Sequence, residues 1–262
     1  PTFLVVAVSQ SATLALLIPV ALITGGVPPA GTALLTTAVA GIVGGAGVLV
    51  LYHGFAHGRI SIVASIAGTL SALIPVGVSI LQGEIPSLLR LVGFFAAIVA
   101  IVIVSTSSVE HAVAGEAGAH ADASSGAAAR GGAFYGVAAG ICFASFSLIF
   151  ASVESDAIVW LITILRIASV SALALVFVVA RLVGRRPPGD EPIRAGAIPA
   201  GLLPRLRLLL LLTVAGTCET AGNLFFFLSK EESGVAVAAV FTSIAPITTV
   251  IFAALLLGER VS

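Results

Sequence analysis

Residues 157–182 read AIVWLITILRIASVSALALVFVVARL, 26 positions in which the only charges are Arg166 and Arg181. At 1.5 Å of rise per residue, a helix of that length reaches about 39 Å, enough to cross a hydrocarbon core of about 30 Å. Inside lipid every backbone N–H and C=O must be paired within its own segment, so the run predicts a spanning helix. A membrane β-strand would alternate polar and apolar residues over about ten positions, and this run does not alternate. Seven more stretches of the same kind lie around it, at residues 3–24, 31–53, 59–82, 88–106, 131–152, 206–228 and 234–257. Residues 3–24 lack the basic flank of a signal peptide and are too long for its apolar segment, so they too read as a span.

Composition points the same way. Of 262 residues 59% are hydrophobic and 9% charged, and the mean hydropathy is +1.20, whereas soluble domains carry roughly 25% charged residues. Lipid must therefore contact most of the surface. The net charge is zero and no basic stripe exists, which excludes a nucleic-acid partner. Cys142 and Cys218 each sit in an apolar run with no further ligand at metal spacing, so neither a disulfide, a metal nor any other cofactor is expected. His53 and His57 are spaced i, i+4, but no Cys, Asp or Glu is near them in sequence, and they read as interfacial histidines at a span end. The chain starts at Pro1 and contains no methionine, so it is expected to be an interior piece of a longer gene product.

The two halves are related. An offset of 175 aligns residues 39–87 with 214–262 without a gap and leaves 11 of 49 positions identical, among them Val39-Ala40-Gly41 with Val214-Ala215-Gly216, Ala46-Gly47 with Ala221-Gly222, and Gly83-Glu84 with Gly258-Glu259. Identities spread over two spans imply a duplicated helical unit. The expected division is 1–106 for the first repeat, 107–130 for a linker rich in Ala, Gly and Ser, and 131–262 for the second repeat.

The string SGVAVAAVFTSIAPITTVIFAALLLGERVS at 233–262, with Pro246 thirteen residues before Glu259, resembles the signature helix of EamA-type permeases in the drug/metabolite transporter superfamily. The first-half string from Gly58 to Ser105 is similar, with Ser71 at the position of Pro246 and Pro75 four residues later. The resemblance implies an all-α membrane protein, a polytopic bundle of two inverted EamA-like repeats with ten spans, of which eight are visible and the first and last are missing. It also implies export of amino acids or related metabolites, and marks Glu84 and Glu259 as the family's Gly-Glu signature, placed at span ends where a structural or gating role fits.

Helices in lipid associate through small residues that let backbones approach. Gly41 and Gly45 form one G-x-x-x-G and Gly136 and Gly140 another. Ser61, Ser65, Gly68, Ala72, Pro75 and Ser79 share one helical face, as do Ala239, Thr242, Pro246, Thr249 and Ala253. Each face suits either helix packing or the lining of a cavity, with Pro75 and Pro246 as kinks that release backbone carbonyls.

Ionisable groups deep in a span cost roughly 2.5–3.5 kcal/mol each on insertion scales, so they mark function or a fixed pair. Two qualify: Glu219, with Asn223 one turn on, and Arg166, flanked by Thr163 and Ser169. The expectation is that Arg166 attracts an anionic group and Glu219 cycles a proton in a water-accessible cavity. The alternative is a static pair that orients two helices. Gln10 falls opposite Arg166 when spans 3–24 and 157–182 are matched, while Gly44 and Val48 replace Glu219 and Asn223 in the first repeat. Trp160, Tyr52 and Tyr135 lie near span ends, where aromatic belts form, and Trp160 is also a stacking candidate for substrate.

The positive-inside rule places the Arg-rich loop 183–205 in the cytoplasm, whereas the resemblance implies the opposite side. No Asp pair, H-E-x-x-H or serine with an in-span base is present, which argues against an intramembrane enzyme. The functional expectation is therefore a multi-pass secondary transporter of the cell membrane (plasma or inner) for a small polar metabolite. Its partners are lipid, substrate and, through Glu219, protons; exchange is the other coupling. An accessory or structural membrane subunit is the alternative.

Overall fold

The computed structural model describes residues 2–57, 60–83, 95, 123–184 and 201–242. Seven helices occupy them: α1 (Thr2–Thr24), α2 (Gly31–His57), α3 (Ile60–Leu81), α4 (Ala123–Ala151), α5 (Ile158–Leu182), α6 (Leu202–Ser233) and α7 (Val235–Thr242). No strand occurs among the described residues. Six of the helices are long and apolar enough to cross a membrane, and they correspond to six of the eight expected spans. The expected span 88–106 lies outside the described residues except for Phe95, and the expected span 234–257 enters as α7 and then leaves them. Pro246, Glu84 and Glu259 also lie outside.

The helices outrun the apolar runs. α4 begins at Ala123, within the stretch read as linker, because ASSGAAAR is rich in alanine, the best helix former. α2 continues through His57, and α6 continues to Ser233 through Lys230, Glu231 and Glu232. Polar flanks end an apolar run without ending a helix, whose backbone pairing needs no apolar side chains. What ends α6 is Gly234, whose φ of +84° turns the chain within one residue before α7. Its N–H still reaches Lys230 O at 3.0 Å.

Two compact units divide the chain, Pro1–Leu49 with Ile149–Leu228 and Val50–Leu148 with Ser229–Ser262. Each draws on both halves of the sequence, so the compact units are a different division from the sequence repeat.

In the second unit α3 is the packing hub. Gly136 and Gly140 of α4 lie against it: a β-carbon on Gly136 would stand 3.0 Å from Ile66 Cβ and 3.1 Å from Val63 O, and one on Gly140 would stand 2.7 Å from Leu70 Cβ and 3.0 Å from Ala67 O. Contacts that advance together along both helices mean that α3 and α4 run parallel. The small-residue face of α3 is buried at Ser65, Ala72, Pro75 and Ser79, and Val76 packs on Ala236 of α7. His53 and His57 lie with ring centres 4.1 Å apart and planes tilted by 40°, and His53 meets Tyr135 edge-on at 5.0 Å.

In the first unit α1 packs along α5, with Phe3 stacked on Phe177 at 5.7 Å. Gly41 and Gly45 of α2 lie against α5: a β-carbon on Gly41 would come within 3.0 Å of the Leu165 backbone, and one on Gly45 within 3.1 Å of Ser169 Cβ. Gly216, which the offset of 175 aligns with Gly41, does the same against α1, where a β-carbon would stand 2.7 Å from Ser9 O. The match of Gln10 with Arg166 likewise pairs Ser9 with Leu165 and Thr13 with Ser169. The repeat-related glycines therefore touch repeat-related residues, as a two-fold relation between α2 on α5 and α6 on α1 requires. Phe150 and Phe227, 5.2 Å apart, are fully buried in this unit's core.

Candidate functional site

The polar centre of the first unit is assembled from α1, α5 and α6. Arg166 leaves α5 almost wholly buried. Its Nη1 donates to Gln10 Oε1 of α1 at 2.7 Å and to Glu219 Oε1 of α6 at 3.0 Å, and its Nε donates to Thr220 Oγ1 at 3.1 Å. Thr220 donates its own proton to Gly216 O at 2.8 Å, so a lone pair of its oxygen faces the guanidinium. The side chains of Arg166 and Glu219 are 4% and 34% exposed. A guanidinium in a low-dielectric span is tolerable only with such charge-assisted bonds, and this carboxylate is the partner that keeps access to the outside of the unit.

Three of the five guanidinium N–H groups are thereby engaged. Nη2 is buried with no acceptor among the described residues, and so is Ser169 Oγ one turn further along α5. Unsatisfied buried donors cost about 1–3 kcal/mol each, more when charged. Among the described residues, these two unpaired polar atoms lie beside the bonded Arg–Glu pair.

The other expected site residues separate from this centre to different degrees. Asn223 lies one turn along α6 from Glu219 and is half-buried. Thr163 is buried on α5, but its hydroxyl donates to Val159 O at 2.7 Å within the same helix. Trp160 Nε1 donates to Gly26 O at 3.1 Å, and Gly25, where a β-carbon would stand 2.7 Å from the indole nitrogen, makes room for the ring. That contact ties α5 to the α1–α2 turn. Ser65 belongs to the second unit, where its carbonyl accepts from Thr69, and Thr242 closes α7, its side chain outside the described residues. Among the described residues no group of three His, Cys, Asp or Glu side chains converges on a metal position.

Sequence reasoning missed Thr220, Ser9 and Thr13. Ser9 Oγ bridges to Leu212 O of α6 at 2.9 Å, and Thr13 Oγ1 returns to Ser9 O at 2.9 Å. The signal was available in the repeat, since Ser9 and Thr13 flank Gln10 as Leu165 and Ser169 flank Arg166.

Cys218 precedes Glu219 but faces elsewhere. It is exposed and shares a helical stripe with Leu211, Val214 and Phe225, which are 60%, 51% and 67% exposed. Such a stripe faces lipid. We therefore expect Cys218 in membranes to resist charged thiol reagents and to react with an apolar maleimide; fast labelling by the charged reagent would place water on this stripe.

Long apolar helices, an all-helical fold and an ion pair held between spans define a polytopic α-helical membrane protein. The EamA-like transporter family matches residues 130–262, just over half of the chain and the whole of its expected second repeat. The chain belongs to that family, whose members are transporters. No curated protein and no solved structure matches it.

Proposed function

We propose that the chain is a secondary transporter, a permease or exporter of small polar metabolites such as amino acids, whose working site is the cluster of Gln10, Arg166, Glu219 and Thr220. The observation that carries this reading is the asymmetry of its ion pair, in which a buried cation with spare donors meets a carboxylate that is one-third exposed. A purely structural pair gains by satisfying every donor. This one holds donors in reserve and leaves its acid able to exchange a proton. Two inverted repeats, 1–106 and 131–262, would supply the symmetry that alternating access uses; the equivalent seats of Gly41 and Gly216 support that division. The plasma or inner membrane is the expected location.

The test is reconstitution of the full-length gene product in liposomes holding a pH dye, with amino acids and other small metabolites added outside. Wild type should show substrate-dependent internal pH change, and Glu219→Gln should reduce it to the level of empty vesicles. Flux of labelled metabolite that leaves pH unchanged in both would assign exchange and return Glu219 to a structural role. The second reading, an accessory subunit, draws on the bonds of Arg166 to three partners on two other helices, which would also serve as a clamp; absence of any flux would favour it.

A further inference from the structure

We infer that the cargo is a small carboxylate, or an oxyanion of equal single charge, and that it binds at Arg166 Nη2 by displacing Glu219, which takes up a proton as it leaves. The inference rests on the transporter reading of this site and narrows it to a ligand class and a stoichiometry.

The argument starts from the donors. Arg166 has no acceptor of its own, and the two N–H groups of Nη2 point to no acceptor among the described residues. A cation cannot bind there. A neutral amide or alcohol brings an acceptor without the charge that makes a guanidinium bond strong, whereas a carboxylate brings two acceptor oxygens in the spacing of the guanidinium fork. The fork between Nη1 and Nη2 is half occupied, because Nη1 already serves Gln10 and Glu219. A carboxylate therefore lands first on Nη2 and becomes bidentate only when Glu219 withdraws from Nη1. Gln10 and Thr220 hold the guanidinium while the exchange occurs.

Charge balance then fixes the proton. Before exchange the site holds one guanidinium and one carboxylate. Afterwards Arg166 pairs with the incoming anion, and Glu219, stripped of its cation inside a span, would be a lone charge in a medium of low dielectric. A proton taken from water onto a carboxylate oxygen of Glu219 restores neutrality. One proton enters with one anion, and the step moves no net charge. Among the described residues of this unit no other ionisable group lies on a helix beside the pair: the segments of α1 and α2 contain none, α5 adds only Arg181 at its end, where it lies over Phe177 at 5.1 Å, α6 adds Cys218 on the exposed stripe and Arg205 and Arg207 in its first turns, and the carboxylates Glu154 and Asp156 are exposed in the turn before α5.

The test follows thermal unfolding of the full-length protein in detergent by intrinsic fluorescence, to which Trp160, the one tryptophan in these 262 residues, contributes. The probes are acetate beside acetamide and L-lactate beside L-lactamide, at acid and alkaline pH. Both carboxylates should raise the unfolding midpoint and the amides should not, with a larger rise at acid pH, because binding takes up a proton. Glu219→Gln removes the competitor, so at alkaline pH it should bind acetate about tenfold more tightly than wild type and show no pH dependence. Arg166→Lys keeps the charge but loses the fork, and should lose the carboxylate shift while still folding. Equal shifts from amide and carboxylate, no shift from either, or an unchanged pH dependence in Glu219→Gln would each overturn the inference. A carboxylate shift with the expected Glu219→Gln signature but no liposome flux would refute the transporter reading and leave the anion site standing; flux with no carboxylate preference would do the reverse.

Discussion

Replacing Arg166 with leucine is expected to abolish flux and to destabilise the protein by about 3 kcal/mol, the low end for breaking a buried pair because Glu219 is one-third exposed. The two losses have different causes. Stability falls because Glu219 loses the cation that offsets its burial and must take up a proton to fold, and Gln10 Oε1 loses its donor. Flux falls because no guanidinium remains to receive the cargo. Adding Glu219→Gln to the leucine variant removes the stranded acid, so the double variant should recover most of the unfolding midpoint while flux stays at background. Unfolding in detergent and labelled-metabolite uptake, measured on both variants, separate the terms. Recovery of flux in the double variant would show that Arg166 serves only to neutralise Glu219.

How much of this was legible in the sequence follows from what each feature depends on. Spans are properties of single segments, so their number and order among the described residues could be read directly from apolar runs. The working pair could be read for a related reason: with 24 charged residues in the whole chain, two in mid-span stand out on cost alone. Gln10 was reachable only through the repeat, because a lone glutamine in a span has many bland explanations. Thr220 was not reachable. Hydroxyls are common in these helices, and most of them simply back-bond to their own helix, as Thr163, Thr213 and Thr217 do; that Thr220 also accepts from Arg166 depends on how α6 is rotated against α5. The same unknown rotation sets Cys218 toward lipid and Glu219, its neighbour, toward Arg166. Trp160 shows the limit of reading by depth. A ring near a span end suits a belt or a binding site, and only the position of the α1–α2 turn shows its N–H bonded to Gly26 O.

Glycines give the second large effect, and they divide in a way that sequence cannot reveal. Gly41 and Gly222 both lie in the aligned repeat, Gly77 sits mid-helix in α3, and nothing in the sequence around them separates the three. At Gly41 a β-carbon would meet the backbone carbon and Cα of Leu165 at 3.0 Å, and at Gly216 it would meet Ser9 O at 2.7 Å. Backbone of a packed helix cannot step aside as a flexible side chain can, so the helices must separate, which strains the crossing and weakens contacts along its length. Gly41→Ala and Gly216→Ala should each cost about 1–3 kcal/mol. They should also lower flux, since α2 and α6 are the helices that seat α5 and present Glu219. At Gly77 and Gly222 a β-carbon would find no atom of the described residues within 4 Å, and alanine there gains helix propensity of about 0.5–1 kcal/mol. Unfolding midpoints of the four single variants in one detergent test the division: two should fall, and two should hold or rise. A loss at Gly222 as large as that at Gly41 would mean that this face of α6 is packed in the membrane, and the lipid-facing placement of Cys218, four residues away on the same stripe, would fall with it.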